Sequence, residues 1–308
     1  MSDLPQLYDR ALGAYLGLAI GDALGATVEF MTPREIRHRI GVHRDIVGGG
    51  WLKLPPGRVT DDTTMALALG EGLLQGHRQH GSFSMPCVAE AFVAWWRGKP
   101  VDCGNTCRRG IVRYLRDGSL AGPPCDGDGG NGALMRNLPA VLANLHDEVA
   151  MCEQSLAQSH FTHHHPLSDA AVLAFARMTR ALILGRGPTT SAALAEVLVQ
   201  EQPVFRWLPY PGRASGYVVD TVQTVLYHYL SHREFEDAVI ATVNLGDDAD
   251  TTGALVGMLA GAACGARALP AAWLRRLERD TVRAITEQTS ALLALAGQRS
   301  STTEAAHD

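Results

Sequence analysis

Gly-Ala-Tyr-Leu-Gly-Leu-Ala-Ile-Gly-Asp-Ala-Leu-Gly, residues 13–25, sets glycine at every fourth position. Gly-Ala-Leu-Val-Gly-Met-Leu-Ala-Gly-Ala-Ala-Cys-Gly, residues 253–265, does the same. Positions four apart share one face of a helix. Each run therefore presents a stripe without side chains. Glycine inside a helix costs about 1 kcal/mol relative to alanine, so two such ladders need a compensating contact. The expected one is close backbone approach of a neighbouring helix, as small-residue faces permit. Both stripes are expected at a tightly packed centre, with each other as candidate partners.

Working outward, apolar residues recur at helical spacing through 7–28, 63–74, 85–96, 106–115, 134–142, 166–184, 191–200, 217–229, 235–244, 251–264 and 270–295. Strand signals are sparse, and the glycine-rich 44–54 stretch reads as a loop. The predicted class is all-α. No Pro/Ser linker divides the chain, so one compact many-helix domain is expected over 1–297, followed by a small, polar, disordered tail at 298–308.

Composition narrows the function. Of 308 residues, 46% are hydrophobic and 19% charged, which suits a globular protein. The formal charge of −5 argues against a general nucleic-acid binder, which would carry a basic excess. The six cysteines form no C-x-x-C pair, and the polar start lacks a secretory layout. A cytoplasmic protein with reduced thiols is expected. The apolar runs at 11–28 and 253–269 carry four glycines each, and Asp22 interrupts the first. Both read as buried helices rather than membrane spans.

Two acidic motifs carry the chemistry. Thr60-Asp61-Asp62 follows a Pro-Pro-Gly turn and precedes a helix; Asp248-Ala249-Asp250-Thr251 also opens a helix. Either alone could be a helix cap, since Asp and Thr cap well and the helix dipole favours anions there. A cap does not need several acids, however. If the segments meet, their like charges conflict, and a divalent cation resolves the conflict. All-oxygen donors suit Mg²⁺ or Mn²⁺ rather than Zn²⁺. Asp250 could bridge two ions, and Glu29 is a further ligand or a carboxylate facing them.

Other stretches are more open. The backbone N–H groups of Asp128-Gly129-Gly130-Asn131-Gly132 can cradle a phosphate, or form only a flexible turn. The Gly48–Gly50 run is a weaker case of the same kind. Asp102 suits a general base, a ribose contact or a helix cap. Of His160 and His163–His165, one histidine is expected at substrate and the others at caps or on the surface. Residues 206–217 read either as a loop closing over a nucleotide, with Tyr217 stacking or gating, or as an ordinary packed loop.

In order along the chain, Gly-Leu-Ala-Ile-Gly-Asp-Ala-Leu-Gly (17–25), Thr-Asp-Asp-Thr (60–63), Gly-Asn-Thr (104–106), Gly-Asn-Gly-Ala-Leu-Met-Arg (130–136), Thr-His (162–163) before His-Pro (165–166), and Asp-Ala-Asp-Thr-Thr-Gly-Ala (248–254) resemble the ADP-ribosylglycohydrolase family. Gly-Gly-Gly-Trp-Leu (48–52), 101–110 and 219–226 carry a narrower resemblance, to the family's bacterial branch that reactivates the nitrogenase iron protein. The resemblance implies an all-α fold with a dinuclear Mn²⁺ or Mg²⁺ centre. It implies Thr60, Asp61, Asp62 and Asp250 as ligands of one ion, and Asp248, Asp250 and Thr251 as ligands of the other. Asp102 would be the catalytic carboxylate, with Glu29 second. Asn105, Asp128, Gly129, Gly130, Asn131, Gly132, His163 and Tyr217 would contact substrate. The implied reaction removes ADP-ribose from an arginine of a protein substrate, the nitrogenase iron protein. Implied partners are a PII signalling protein and an ammonium transporter that recruits the enzyme to the membrane. One departure stands out: the family usually has Gly-Gly-Asp-x-Asp-Thr, where this chain has Gly246-Asp247-Asp248-Ala249-Asp250-Thr251. At a positive φ, Asp247 would be tolerated less well than glycine, and its carboxylate could tune or crowd the metals.

Overall fold

The computed structural model describes the backbone of residues 4–305 and the side chains of residues 4–298. Its regular structure is helical throughout, with two isolated β-bridges. In chain order the helices are α1 (Leu4–Gly25), α2 (Pro33–Arg39), α3 (Asp61–His80), α4 (Met85–Arg97), α5 (Asn105–Asp117), α6 (Gly132–Met135), α7 (Leu138–Ala143) and α8 (Glu148–His160). There follow α9 (Pro166–Ile183), α10 (Gly187–Glu201), α11 (Val218–Ser231), α12 (Phe235–Val243), α13 (Ala249–Cys264), α14 (Ala271–Arg276) and α15 (Arg279–Ala305). The expected tail at 298–308 falls mostly on residues whose side chains, and at 306–308 whose backbone, lie outside those described.

The glycine ladders pack against each other. A Cβ at Gly17 would lie 2.2 Å from the Gly257 carbonyl oxygen, and one at Gly257 would lie 2.1 Å from that of Gly17. Gly13 meets Gly261, Gly21 meets Gly253, and Gly25 meets Ala249 in the same way. The two helices therefore run antiparallel in one register, stepping four residues at a time on both. Side chains on their remaining faces, among them Tyr15, Leu18, Leu24, Leu255 and Leu259, are fully buried in the main hydrophobic core. A helix that is apolar all round belongs in the middle of a large core.

Several boundaries differ from the sequence pattern, each for a local reason. The 134–142 stretch is two short helices broken at Arg136 and Asn137, with Pro139 in the first turn of the second. The 270–295 stretch breaks between Arg276 and Arg279. Helix α2 buries only Ile36, so it has no apolar period, but Thr32 and Glu35 form a capping box that starts it. Helix α8 shows no apolar stripe because its buried face is largely polar. Gln154, Ser155 and Gln158 on that face bond to Asn144, Asn137 and Arg136.

The register predicts the consequence of filling it. Alanine for glycine in an open helix gains about 0.5–1 kcal/mol. At Gly257 the added methyl meets backbone that cannot rotate away. Gly257→Ala should destabilise the protein by about 3 kcal/mol or more, read as a lowered midpoint of thermal unfolding. Gly297→Ala, where a Cβ meets nothing within 4 Å, should be neutral or slightly stabilising.

Candidate metal centre

The ladder ends where α1 finishes and α13 begins, and it carries acids to that point from both sides. Asp22, one turn before the end of α1, is fully buried. Its carboxylate accepts the Thr60 N–H at 2.9 Å, the Thr63 N–H at 3.1 Å and the Thr63 hydroxyl at 2.5 Å. This ties the N-terminus of α3, and with it Asp61 and Asp62, to α1. Glu29 lies in the turn after α1, and Asp248 and Asp250 open α13. Single carboxylate oxygens of Glu29, Asp248 and Asp250 all lie within 4.8 Å of one another.

One cavity gathers these groups. It is lined by Glu29, Asp61, Asp62, Asp102, Asp248, Asp250 and Thr251 on one side, and by Asn105, Gly130, Asn131, Gly132 and His163 on the other. Cross-links fix the walls. The Thr251 hydroxyl donates to Asp62 at 3.1 Å, joining the two acidic motifs directly. The Gly104 N–H donates to Asp61 at 3.1 Å, holding the start of α5 against α3. Asn131 donates to Asp248 and to Thr221. The Thr60 hydroxyl caps α3, accepting from the Asp62 N–H at 3.3 Å, and does not line the cavity.

The charge at this point is unbalanced. Burial raises Glu29, Asp22, Asp61, Asp62, Asp248 and Asp250, and neighbouring carboxylates add to the effect at all of these but Asp22. Glu29 is pushed up to about 8, by burial first and then by Asp248, Asp102 and Asp61. Asp61 is pushed up to about 7, Asp248 and Asp22 to about 6, each mainly by burial. Asp62 and Asp250 go well above the carboxylate range for the same reason. Asp62 also has an oxygen, Oδ1, that is buried with no hydrogen-bond partner. A buried acceptor without a donor is costly, and an oxygen-only donor set around it fits a hard divalent cation. The cluster can hold such an ion.

The opposite wall is built differently. Gly130 pairs with Tyr217 in a short antiparallel bridge, where the Asn131 N–H donates to Gly216 O at 3.1 Å. Fully buried Arg136 donates to Gln158 and, at 2.7 Å, to the Thr162 hydroxyl. The Thr162 hydroxyl, which accepts from Arg136, also lies 2.8 Å from His163 Nδ1. The Nε2 of His163 faces Gly130 and Gly132, and it is the donor in the tautomer in which Nδ1 accepts from Thr162. Burial, then Arg136 and Arg109, holds His163 well below the usual histidine range, so the ring is neutral.

Of the residues expected to contact substrate, Asn105, Gly130, Asn131, Gly132 and His163 share the cavity. Asp128 instead pairs with Arg109 at 2.6 Å beside a neighbouring cleft, Gly129 lies behind the Tyr217 ring, and Tyr217 is exposed at the edge. Asp22 and Arg136 are structural members that the sequence reading left out of the site. An acid inside an apolar glycine run, and an arginine directly after an apolar stretch, were the signals available.

The raised carboxyls give the metal-free protein a pH dependence. Each has a higher pKa folded than unfolded, so the folded state holds extra protons. That contribution is complete below the unfolded values near 4 and is lost as pH climbs through the folded values of about 6 to 8. Chelator-treated protein should therefore show a falling thermal midpoint between about pH 5 and pH 8. Excess divalent cation should remove the decline, because it stabilises the ionised form.

A family model for ADP-ribosylglycohydrolases matches residues 3–302. The chain is 52% identical, over 95% of its length and 98% of the relative's, to the ADP-ribosyl-[dinitrogen reductase] glycohydrolase of Rhodospirillum rubrum. It is 35% identical to the ADP-ribosylarginine hydrolase Tri1 of Pseudomonas putida, over 88% of this chain and 75% of that one. A solved structure described as an ADP-ribosylglycohydrolase-related protein complex superposes with a TM-score of 0.81 at 33% identity, covering 95% of this chain and 99% of its own. With its glycine-paired helices and convergent acidic motifs, the chain belongs to the ADP-ribosylglycohydrolase family.

Proposed function

We propose that this protein hydrolyses the N-glycosidic bond between ADP-ribose and an arginine side chain, and that its protein substrate is the nitrogenase iron protein. The observation that carries the reading is the two-sided cavity. Its acidic wall can hold cations against ribose hydroxyls, and its other wall brings the unencumbered backbone of Gly130 and Gly132 and a neutral histidine to where a phosphate would sit. The name of the Pseudomonas relative supports the arginine linkage, and that of the Rhodospirillum relative supports the target.

In this proposal two divalent ions, Mn²⁺ or Mg²⁺, would be held by Thr60, Asp61, Asp62 and Asp250 and by Asp248, Asp250 and Thr251, the Thr60 hydroxyl lying just behind the lining, 3.4 Å from Asp62 Oδ2. When bound, they supply Lewis-acid chemistry and orient the ribose hydroxyls. The protein's own groups do the rest. Water adds to the anomeric carbon as the carbon–nitrogen bond breaks; the leaving guanidine nitrogen keeps the bonding electrons and must gain a proton, and the water must lose one. Asp102 is half-buried at the cavity edge, held through a 2.7 Å hydrogen bond from the Cys103 N–H, and we assign it this proton transfer. Glu29 is the second candidate; its Oε2 accepts from Trp51 Nε1 at 2.5 Å. Around Gly129–Gly132 the backbone N–H groups and His163 Nε2 would receive the pyrophosphate.

The partners implied by the resemblance belong to the same proposal: a PII signalling protein and recruitment to the membrane through an ammonium transporter. Among the described residues no helix is long and apolar enough to cross a membrane. In this reading the enzyme is cytoplasmic, and membrane association runs through the partner.

Two measurements test the activity. Release of ADP-ribose should be fast from modified arginine and slow from modified serine; the reverse preference overturns the linkage assignment. Asp102→Ala should keep metal and ADP-ribose affinity while kcat falls by about 10²–10⁴. Near-normal turnover removes Asp102 from the mechanism.

A further inference from the structure

Two aromatic rings stand exposed beside the cavity. Phe30, directly after Glu29, is 64% exposed, and Trp51 is 50% exposed. Their rings pack together with centroids 5.3 Å apart and planes tilted by 57°. Large aromatic side chains left in water beside a cavity are a common mark of ligand contact.

The backbone is bent to put them there. Phe30 has φ of +61° and Asp247 has φ of +53°, the left-handed region that bulky residues avoid. The two strained residues hold each other: the Phe30 N–H donates to Asp247 O at 2.7 Å, and the Asp247 N–H donates to Met31 O at 2.9 Å. On the Trp51 side, Gly48, Gly49 and Gly50 all have positive φ, and a Cβ at Gly50 would lie 2.3 Å from Ala26 O. This glycine run, a weak phosphate cradle by sequence, turns the chain so that Trp51 reaches back to Glu29. Strain concentrated at a site mouth points to function.

The charge of the two walls decides what the rings meet. Beside Gly130 and Gly132, fully buried Arg136 reaches His163 through Thr162, which favours an anion there. Phe30 lies on the other side, with Glu29 and Asp247 lining the same cavity. The exposed Asp247 carboxylate is not among the proposed metal ligands, so it stays available. Aromatic faces beside free carboxylates favour a planar cation and repel a phosphate.

We propose that Phe30, Trp51 and Asp247 form the leaving-group subsite, which recognises the guanidinium of the modified arginine and so sets the linkage preference. This rests on the arginine-directed activity proposed above. The rings contact the planar guanidinium, and Asp247 supplies the opposite charge. The three are specificity residues that act on binding and leave the bond-breaking step to others.

The test measures kcat and KM for hydrolysis of ADP-ribosyl-arginine, and the Kd for ADP-ribose by calorimetry, on the metal-loaded protein. Phe30→Ala and Trp51→Ala should each raise KM by about three- to tenfold with the ADP-ribose Kd unchanged, and in Phe30→Ala, which leaves the Trp51–Glu29 bond in place, kcat should be unchanged as well. Trp51→Phe keeps a ring but loses the bond to Glu29, and should retain a KM near that of the wild type. Asp247→Asn should raise KM at low salt, with the difference shrinking as salt is added. Asp247→Asn, whose predicted change depends on salt, keeps the test decisive if an alanine variant fails to fold. An equal loss of ADP-ribose affinity would assign the rings to the nucleotide and overturn the subsite. An unmoved KM in Phe30→Ala, Trp51→Ala and Asp247→Asn would overturn it alone. Wild-type protein that leaves ADP-ribosyl-arginine intact would overturn the activity and the subsite together.

Discussion

Backbone-to-backbone contact between α1 and α13 is the constraint on which the rest of this molecule depends. Four glycines on α1 and three on α13, with Ala249 completing the second stripe, give up side-chain burial and helix propensity so that two main chains can touch. The return is positional. A glycine–glycine contact has no rotamers to relax, so the register is fixed to one turn. Asp22 and Glu29 at one end of α1 are thereby held against Asp248 and Asp250 at the start of α13. A looser, side-chain-filled interface would leave the separation of these carboxylates to the packing of flexible groups.

The site is then assembled by polar attachment to that frame. Asp22 anchors α3 through three hydrogen bonds, Thr251 ties α13 to Asp62, and Gly104 ties α5 to Asp61. The N-termini of α3 and α13 converge there, and their dipoles favour negative charge. Even so, burial and mutual repulsion raise the carboxyls far from their ordinary values. The protein alone cannot satisfy this cluster in its ionised form, and the unbonded oxygen of Asp62 marks where a further positive partner belongs. Stability has been spent locally to keep a strongly cation-seeking pocket.

Much of this was legible in the sequence, and the exceptions follow a pattern. The glycine period named the central helix pair, and the paired Thr/Asp motifs named the acidic wall. Asp247 does carry the positive φ at which glycine would be the easier residue. What hydrophobic periodicity missed was structure held by polar groups. Helix α8 buries glutamine and serine rather than leucine, and Arg136 sits fully buried among neutral partners. Hydrogen-bond complementarity between distant segments leaves no periodic trace in one chain. The aromatic mouth was hidden for a related reason: Phe30 and Trp51 are 21 positions apart, and only the bend at Gly48–Gly50 brings their rings together.

The central claim is that the carboxylates converge in order to hold divalent cations that hydrolysis requires. The most direct measurement is release of ADP-ribose from ADP-ribosyl-arginine by protein stripped with a chelator, then titrated with Mn²⁺ or Mg²⁺. The account predicts loss of turnover on stripping and full recovery on adding the ion, with Asp62→Asn and Asp250→Asn failing to recover at the same concentration. Undiminished turnover by the stripped protein would contradict it.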